Sequence, residues 1–146
     1  SRSLQLQLVD LRSAHDPGAR EAEQLELCRT LIRGGGVSAK DAAKLLPSRE
    51  QFVRVWRALE REVDGTLTSP ELPFLRRLAE ALGAESFPRT VMCLAVFAER
   101  GLVTVERHDK YITLRLTGGK RVDLDASPYL CALREGLDGT KGGSSA

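Results

Sequence analysis

The sequence predicts an α+β fold that is mainly helical: a winged-helix-like domain of three helices and a small β-hairpin or sheet, preceded by a lone strand and further helices. The run 91–98 is apolar on every face, which is typical of a buried helix. After it, residues 102–106 and 111–116 alternate apolar and polar side chains and are joined by the polar turn 107–110, a hairpin pattern. Two further helical patterns lie between residues 48 and 82, so helices lead into the hairpin.

The chain opens with a short strand pattern at residues 4–11. Leu4, Leu6 and Leu8 alternate with glutamines, as in a half-buried strand. A lone strand needs partners, so we expect residues 1–16 to be the terminal strand of an upstream fold and the chain to be the tail of a longer polypeptide. The alternative is that this strand pairs with the later hairpin.

Residues 17–47 are predicted to be a helical connector. Apolar residues recur at helical spacing within 19–33, and three glycines end this helix. Ser38 and Asp41 resemble a capping box that opens a second helix, 39–46, which Pro47 ends.

Residues 48–137 form the predicted winged-helix-like domain. Ser48 and Gln51 make a capping box in front of an amphipathic helix. Ser69 is predicted to cap the next helix, with Pro70 in its first turn. A third strand is expected at 121–124, followed by a last helix that begins at Ser127-Pro128 and by a flexible Gly- and Ser-rich tail, 138–146.

Composition excludes several classes of protein. The net charge of +2, from 22 basic and 20 acidic residues, does not by itself indicate a nucleic-acid-binding protein. Three widely spaced cysteines and two histidines do not make a zinc site. Reduced thiols without a recognisable signal peptide favour a cytoplasmic protein, and no apolar run approaches the roughly 20 residues that span a bilayer.

No motif predicts catalysis or a bound metal. His15-Asp16 would need further histidine and aspartate ligands to form a hydrolytic metal centre, so a polar turn is the better interpretation. Asp123 and Asp125 would lie on one side of the third predicted strand, yet no phosphate-binding loop accompanies them. We therefore expect a chain without catalytic residues, metal ligands or a cofactor of its own.

The hairpin carries the candidate binding residues. Six basic and two acidic residues fall between Arg100 and Arg121. We expect four of them to form an edge that binds nucleic-acid phosphates, although a solvated hairpin is the open alternative. These candidates are Arg107, Lys110, Lys120 and Arg121. Base reading is not expected, because the helix at 91–98 lacks the polar side chains that it requires.

Several stretches together resemble one family. SLQLQLVDLR (3–12) resembles the last strand of the oligonucleotide-binding fold of RecJ, the bacterial single-strand-specific exonuclease, and PSREQFVRVWRALE (47–60) is similar to the start of that family's C-terminal domain. VFAERGLVTVERHDKYITLRL (96–116) and KRVDLDASPYLCALRE (120–135) resemble the segments that follow. The Asp-His-His motif and metal-binding aspartates of the family are absent from this chain.

The resemblance implies the C-terminal portion of a RecJ-like exonuclease. The parent enzyme would degrade single-stranded DNA from the 5′ end with Mn²⁺ or Mg²⁺, in repair and recombination, while this portion would not cleave. Expected partners are single-stranded DNA, single-stranded-DNA-binding protein and the catalytic core of the parent polypeptide, with no membrane. The alternative is a free-standing winged-helix regulator of transcription.

Overall fold

The described part of the chain forms six α-helices and a small antiparallel sheet. The structure is a computed structural model that describes residues 17–83, 86–117 and 122–145, with the backbone alone at 17–20 and 139–145. The helices are α1 (Pro17–Ile32), α2 (Ala39–Leu45), α3 (Arg49–Glu62), α4 (Glu71–Ala79), α5 (Phe87–Glu99) and α6 (Pro128–Ser145). The strands are β1 (Thr66–Pro70), β2 (Val103–His108) and β3 (Tyr111–Leu116), and a 3₁₀ turn spans Leu124–Ala126. The α+β class predicted from the sequence is confirmed.

Helix α3 begins where the sequence predicts. The Ser48 hydroxyl accepts a hydrogen bond from the Gln51 backbone N–H at 3.2 Å, and the Gln51 side chain accepts one from the Ser48 N–H at 2.8 Å. This capping box satisfies backbone donors that the first helical turn leaves without partners. At the other end, Gly65 has a φ of +77°, which lets the chain turn sharply into β1.

The three strands pair in the order β1-β3-β2, and both pairings are antiparallel. The β2–β3 hairpin turns through only Asp109 and Lys110, because His108 and Tyr111 are directly opposite each other. Asp109 adopts a φ of +58°, a conformation that aspartate tolerates better than most residues. Residues such as Ile112 and Leu114 are buried on one face of the sheet, while the other face is open.

Two sequence predictions about the sheet are wrong. Residues 122–124 are not a strand; the chain there enters the 3₁₀ turn, with the N–H of Asp125 donating to Asp123 Oδ1 at 3.0 Å. The third strand is β1, in which Ser69 and Pro70 pair with Ile112 and Tyr111, so α4 begins only at Glu71. The local sequence at Ser69 and Pro70 is compatible with a helix start and also with an edge strand. Because β3 has a free edge with which they can pair, they form a strand.

Helix α5 lies at the centre of the fold. It contacts all five other helices and β2, and residues on every side of it are buried. Within it, Leu94 is only 3 % exposed and Thr90, fully buried, donates its hydroxyl hydrogen to the Ser86 carbonyl at 3.0 Å. The prediction that this apolar helix is buried is confirmed.

Residues 17–47 belong to the same hydrophobic core as the rest. The buried residues of α1 and α2 form one cluster with those of α3, α4, α5 and the sheet, namely Leu25, Cys28, Leu31, Ala42 and Leu45. The segment that the sequence assigns to a connector therefore packs directly on α5. Helix α6 packs against α2 and continues to Ser145, through residues for which the sequence predicts a flexible tail. The predicted strand at residues 4–11 and His15-Asp16 lie outside the described residues.

Candidate functional site

The β2–β3 hairpin holds two of the four predicted phosphate-binding residues. Arg107 lies in β2 and Lys110 in the two-residue turn, so the turn is shorter than the predicted 107–110. Lys120 and Arg121 lie outside the described residues. Lys110 is exposed at the hairpin tip, beside Tyr111, whose ring is 51 % exposed.

Arg107 is held in place by a buried carboxylate. Glu71, the first residue of α4, is the only charged residue among the described ones that is buried. One of its carboxylate oxygens, Oε2, accepts a hydrogen bond from Arg107 Nε at 2.7 Å, and the other, Oε1, accepts one from Arg29 Nη2 at 2.8 Å. The Glu71 backbone N–H also donates to the Lys110 carbonyl at 2.9 Å. One residue thus connects α1, α4 and the hairpin.

Sequence reasoning missed Glu71 and Arg29 as parts of this site. An acidic residue that follows Ser-Pro is normally read as a favourable charge in the first turn of a helix. Arg29 lies on α1, 78 positions before Arg107, and nothing in the sequence relates the two. Their proximity follows from β1 pairing with β3, which brings the start of α4 under the hairpin.

A second feature is an apolar groove along α3. It has a volume of about 620 Å³, and Arg49, Arg57 and Glu60 lie at its rim. Its apolar lining comes from α3, α5 and the segments flanking the hairpin: Phe52, Val53, Trp56, Phe97, Leu102, Val122 and Leu124. Trp56, the only tryptophan, packs edge-on against Phe97 with ring centroids 5.2 Å apart. Phe52 is buried in the core and Trp56 packs against it, although both also reach the groove.

The two aspartates after the hairpin are engaged in local contacts. Asp125 Oδ1 accepts a hydrogen bond from Arg134 Nη2 at 2.7 Å, and this bond lowers the pKa of the Asp125 carboxyl. Arg49 Nη2 lies 3.7 Å from the other oxygen. The Asp123 side chain caps the 3₁₀ turn. Together these contacts attach the segment that follows the sheet to α3 and α6.

Neither metal nor membrane sites emerge in the part of the chain that the structure describes. No group of three or more histidine, cysteine, aspartate or glutamate side chains there is placed to hold a metal ion. Within the same ranges, no helix has the length and apolar character needed to cross a bilayer.

Comparisons with known proteins return no relatives. No protein-family model, no curated protein and no solved structure matches the chain. The function therefore has to be argued from the residues and their arrangement.

Proposed function

We propose that this chain is the non-catalytic C-terminal accessory module of a RecJ-like 5′–3′ single-stranded-DNA exonuclease, which acts in DNA repair and recombination. The order of the four resembling segments, from residues 3–12 to residues 120–135, supports the family. Mn²⁺ or Mg²⁺ would belong to the catalytic core of the parent polypeptide.

The topology supports a winged-helix domain within this module. From α3 onward the chain runs helix, strand, helix, helix, strand, strand, and its first strand pairs with its last. That succession is the one a winged helix has, and the short β2–β3 hairpin takes the place of the wing. In DNA-reading helix-turn-helix proteins, the second helix of the pair inserts into the major groove, and here that position is occupied by α5.

The burial of α5 is the observation that carries the proposal. Base reading needs polar side chains on an accessible helix face. Helices α1, α2 and α6 pack against α5, and Leu94 and Cys93 are buried in the middle of the helix. This arrangement favours an accessory module over the alternative, a free-standing regulator that reads operator DNA.

The proposed contacts with nucleic acid are weak and limited to the backbone. Lys110, exposed at the hairpin tip, would contact phosphates together with Lys120 and Arg121, whereas Arg107 at the same edge is engaged by Glu71. Contacts to phosphates give affinity without sequence preference. Single-stranded-DNA-binding protein and the catalytic core of the parent enzyme are the proposed protein partners.

Binding of labelled DNA at two salt concentrations tests the proposal. We expect weak binding to single strands of any sequence, which weakens between about 50 and about 200 mM salt with a slope of about −0.7 per phosphate contact. Changing Arg107, Lys110, Lys120 and Arg121 together to alanine should reduce both affinity and slope, and a thermal melt checks that loss of the Arg107–Glu71 pair has not unfolded the chain. Sequence-specific binding to duplex DNA would instead favour the regulator.

A cleavage assay tests the non-catalytic assignment. Incubation of the pure chain with Mn²⁺ and 5′-labelled single strands should leave the strands intact, because the described residues bring together no group of ligands such as a two-metal site requires. Metal-dependent shortening that copurifies with the chain through successive columns would overturn this assignment.

A further inference from the structure

The carboxylate of Glu71 lies where a phosphate oxygen would lie in an arginine-lined anion site. Guanidinium groups from two separate elements, Arg29 on α1 and Arg107 on β2, approach its two oxygens at 2.8 and 2.7 Å. Arginine side chains recognise phosphates and carboxylates by the same hydrogen-bonding geometry. The Glu71 side chain is 9 % exposed, whereas those of Arg29 and Arg107 are 39 % and 47 % exposed. An external anion can therefore reach the arginines, but they already have a partner.

We propose that Glu71 is an internal competitor of nucleic-acid phosphate, which keeps Arg29 and Arg107 from contacting the DNA backbone. This inference rests on the proposed function, because it takes the competing anion to be the phosphate of a nucleic-acid backbone. It assigns the affinity of the hairpin to Lys110 rather than to Arg107. It also predicts that Arg29, which is distant in sequence, joins the phosphate-binding edge once the charge of Glu71 is removed.

The position of Glu71 explains why the competition is effective. The backbone of Glu71 is anchored at the start of α4 by the hydrogen bond from its N–H to the Lys110 carbonyl, and its side chain is only 9 % exposed, so the carboxylate is held beside the hairpin. A tethered carboxylate acts at a high effective concentration, whereas a phosphate must bind from solution. The Glu71 carboxylate is also poorly accessible to water, so salt screens its attraction to Arg29 and Arg107 only weakly.

The variant Glu71→Gln tests the proposal. It keeps the shape of the side chain and removes the negative charge that engages both arginines. Arg107 then becomes available to phosphate, and Arg29 keeps only its longer, exposed contact with Glu26, from Nη1 to Oε2 at 3.9 Å. Each freed contact should raise the affinity for labelled single-stranded DNA by roughly fivefold to tenfold at about 50 mM salt, and steepen the salt slope by about 0.7. The readout is fluorescence anisotropy over a salt series, with a thermal melt to verify folding.

Glu62→Gln is the matched control. It makes the same change in net charge and frees Arg77, whose Nε lies 3.6 Å from Glu62 Oε2. Glu62 lies on α3 and Arg77 on α4, so neither belongs to the hairpin. We expect it to leave affinity close to that of the parent chain. Adding Arg107→Gln or Arg29→Gln to the Glu71→Gln variant should remove most of the gain. Equal gains from Glu62→Gln, or a gain that survives both arginine changes, would overturn the proposal.

A second comparison keeps the proposal testable if Glu71→Gln does not fold. In the otherwise unchanged chain, Arg107→Gln should alter DNA affinity less than twofold, because that arginine is already occupied, while Lys110→Gln should weaken binding about fivefold. A loss on Arg107→Gln as large as that on Lys110→Gln would contradict the competition.

The outcomes separate this inference from the proposed function. If the parent chain does not bind single strands but Glu71→Gln does, the competitor role stands and the proposed DNA contact of the native module fails. If neither binds, the competitor role fails, while the accessory assignment continues to depend on protein contacts. If the parent binds and Glu71→Gln adds nothing, only the inference fails.

Discussion

Individual residues of α5 show how strictly this fold depends on burial. Leu94 lies in the middle of α5 and is only 3 % exposed to solvent. A carboxylate at this position would have no partner, and burying an unpaired charge costs several kcal/mol. That cost is a large share of the roughly 5–15 kcal/mol by which a domain is usually stable.

Leu94→Asp should therefore unfold the chain or lower its melting temperature by well over 10 °C, as about 4 °C is lost per kcal/mol in a chain of this size. Val53→Asp is the control, because Val53 on α3 is 44 % exposed and should tolerate a charge. Circular dichroism melts measure both variants. Similar melts for Leu94→Asp and the parent would mean that α5 has an accessible face.

The three cysteines differ in their surroundings, and this difference predicts their reactivity. Burial raises the pKa of the Cys28 thiol to about 12, and burial also raises the pKa of Cys93 far above its usual range. Cys131 is exposed on α6. Because the thiolate is the reactive form, only Cys131 should react with a thiol reagent at about pH 8 in the folded chain.

Titration with a chromogenic disulfide checks this expectation. The one reactive protein thiol should displace one equivalent of chromogenic thiolate from the reagent per native chain, whereas the Cys131→Ser variant should displace almost none. Denaturant should expose the remaining thiols. Rapid reaction of Cys28 or Cys93 without denaturant would contradict their burial.

Of the helices and strands, α3 is the one whose first residue follows most directly from the local sequence. Its capping box joins Ser48 and Gln51 by two reciprocal hydrogen bonds. Its buried residues Phe52, Val55 and Leu59 recur at helical spacing, so capping and amphipathic pattern agree on one structure. Both features are local, and both are predicted correctly from the sequence.

Ser48→Ala should destabilise the chain by about 1 kcal/mol, since it removes one capping acceptor. In a chain of this size the melting temperature should fall by about 3–5 °C. Ser48→Asp retains an acceptor at the cap and should restore most of the loss. Equal melts for Ser48→Ala and the parent chain would show that the cap contributes nothing to stability.

The sheet shows where local reasoning fails at the scale of elements. The segment at Ser69-Pro70 has a helix-start pattern, yet it forms the end of β1 because β3 offers a free edge. Residues 122–124 have a strand pattern, yet they form no strand and lead into the 3₁₀ turn at Leu124–Ala126. A pairing partner that is distant in sequence decides the first case, and contacts of Asp125 with Arg49 and Arg134 accompany the second. Propensity identifies neither.

At the scale of the whole molecule, the helices before residue 48 share one core with the rest. Leu25, Leu31 and Leu45 are each fully buried against other elements. Each contributes about 1.5–3 kcal/mol when removed from water. Their sum is comparable to the entire stability of an average domain.

A fragment of residues 48–137 should therefore not fold stably by itself. We expect a broad, weakly cooperative melt and binding of a hydrophobic dye, whereas residues 17–137 should melt in one sharp transition. Matching transitions for the two fragments would mean that α1 and α2 are dispensable for the domain, as a connector would be.

Linear patterns are enough to predict the α+β class, the capped start of α3 and the burial of α5. Each of these depends on side-chain spacing and hydrophobicity within one segment. Three other features become visible in the packed fold alone: β1 completes the sheet, α1 and α2 cover α5, and Glu71 engages Arg29 and Arg107. These contacts join residues far apart along the chain, and their free energy depends on a geometry that exists only once the whole core has packed.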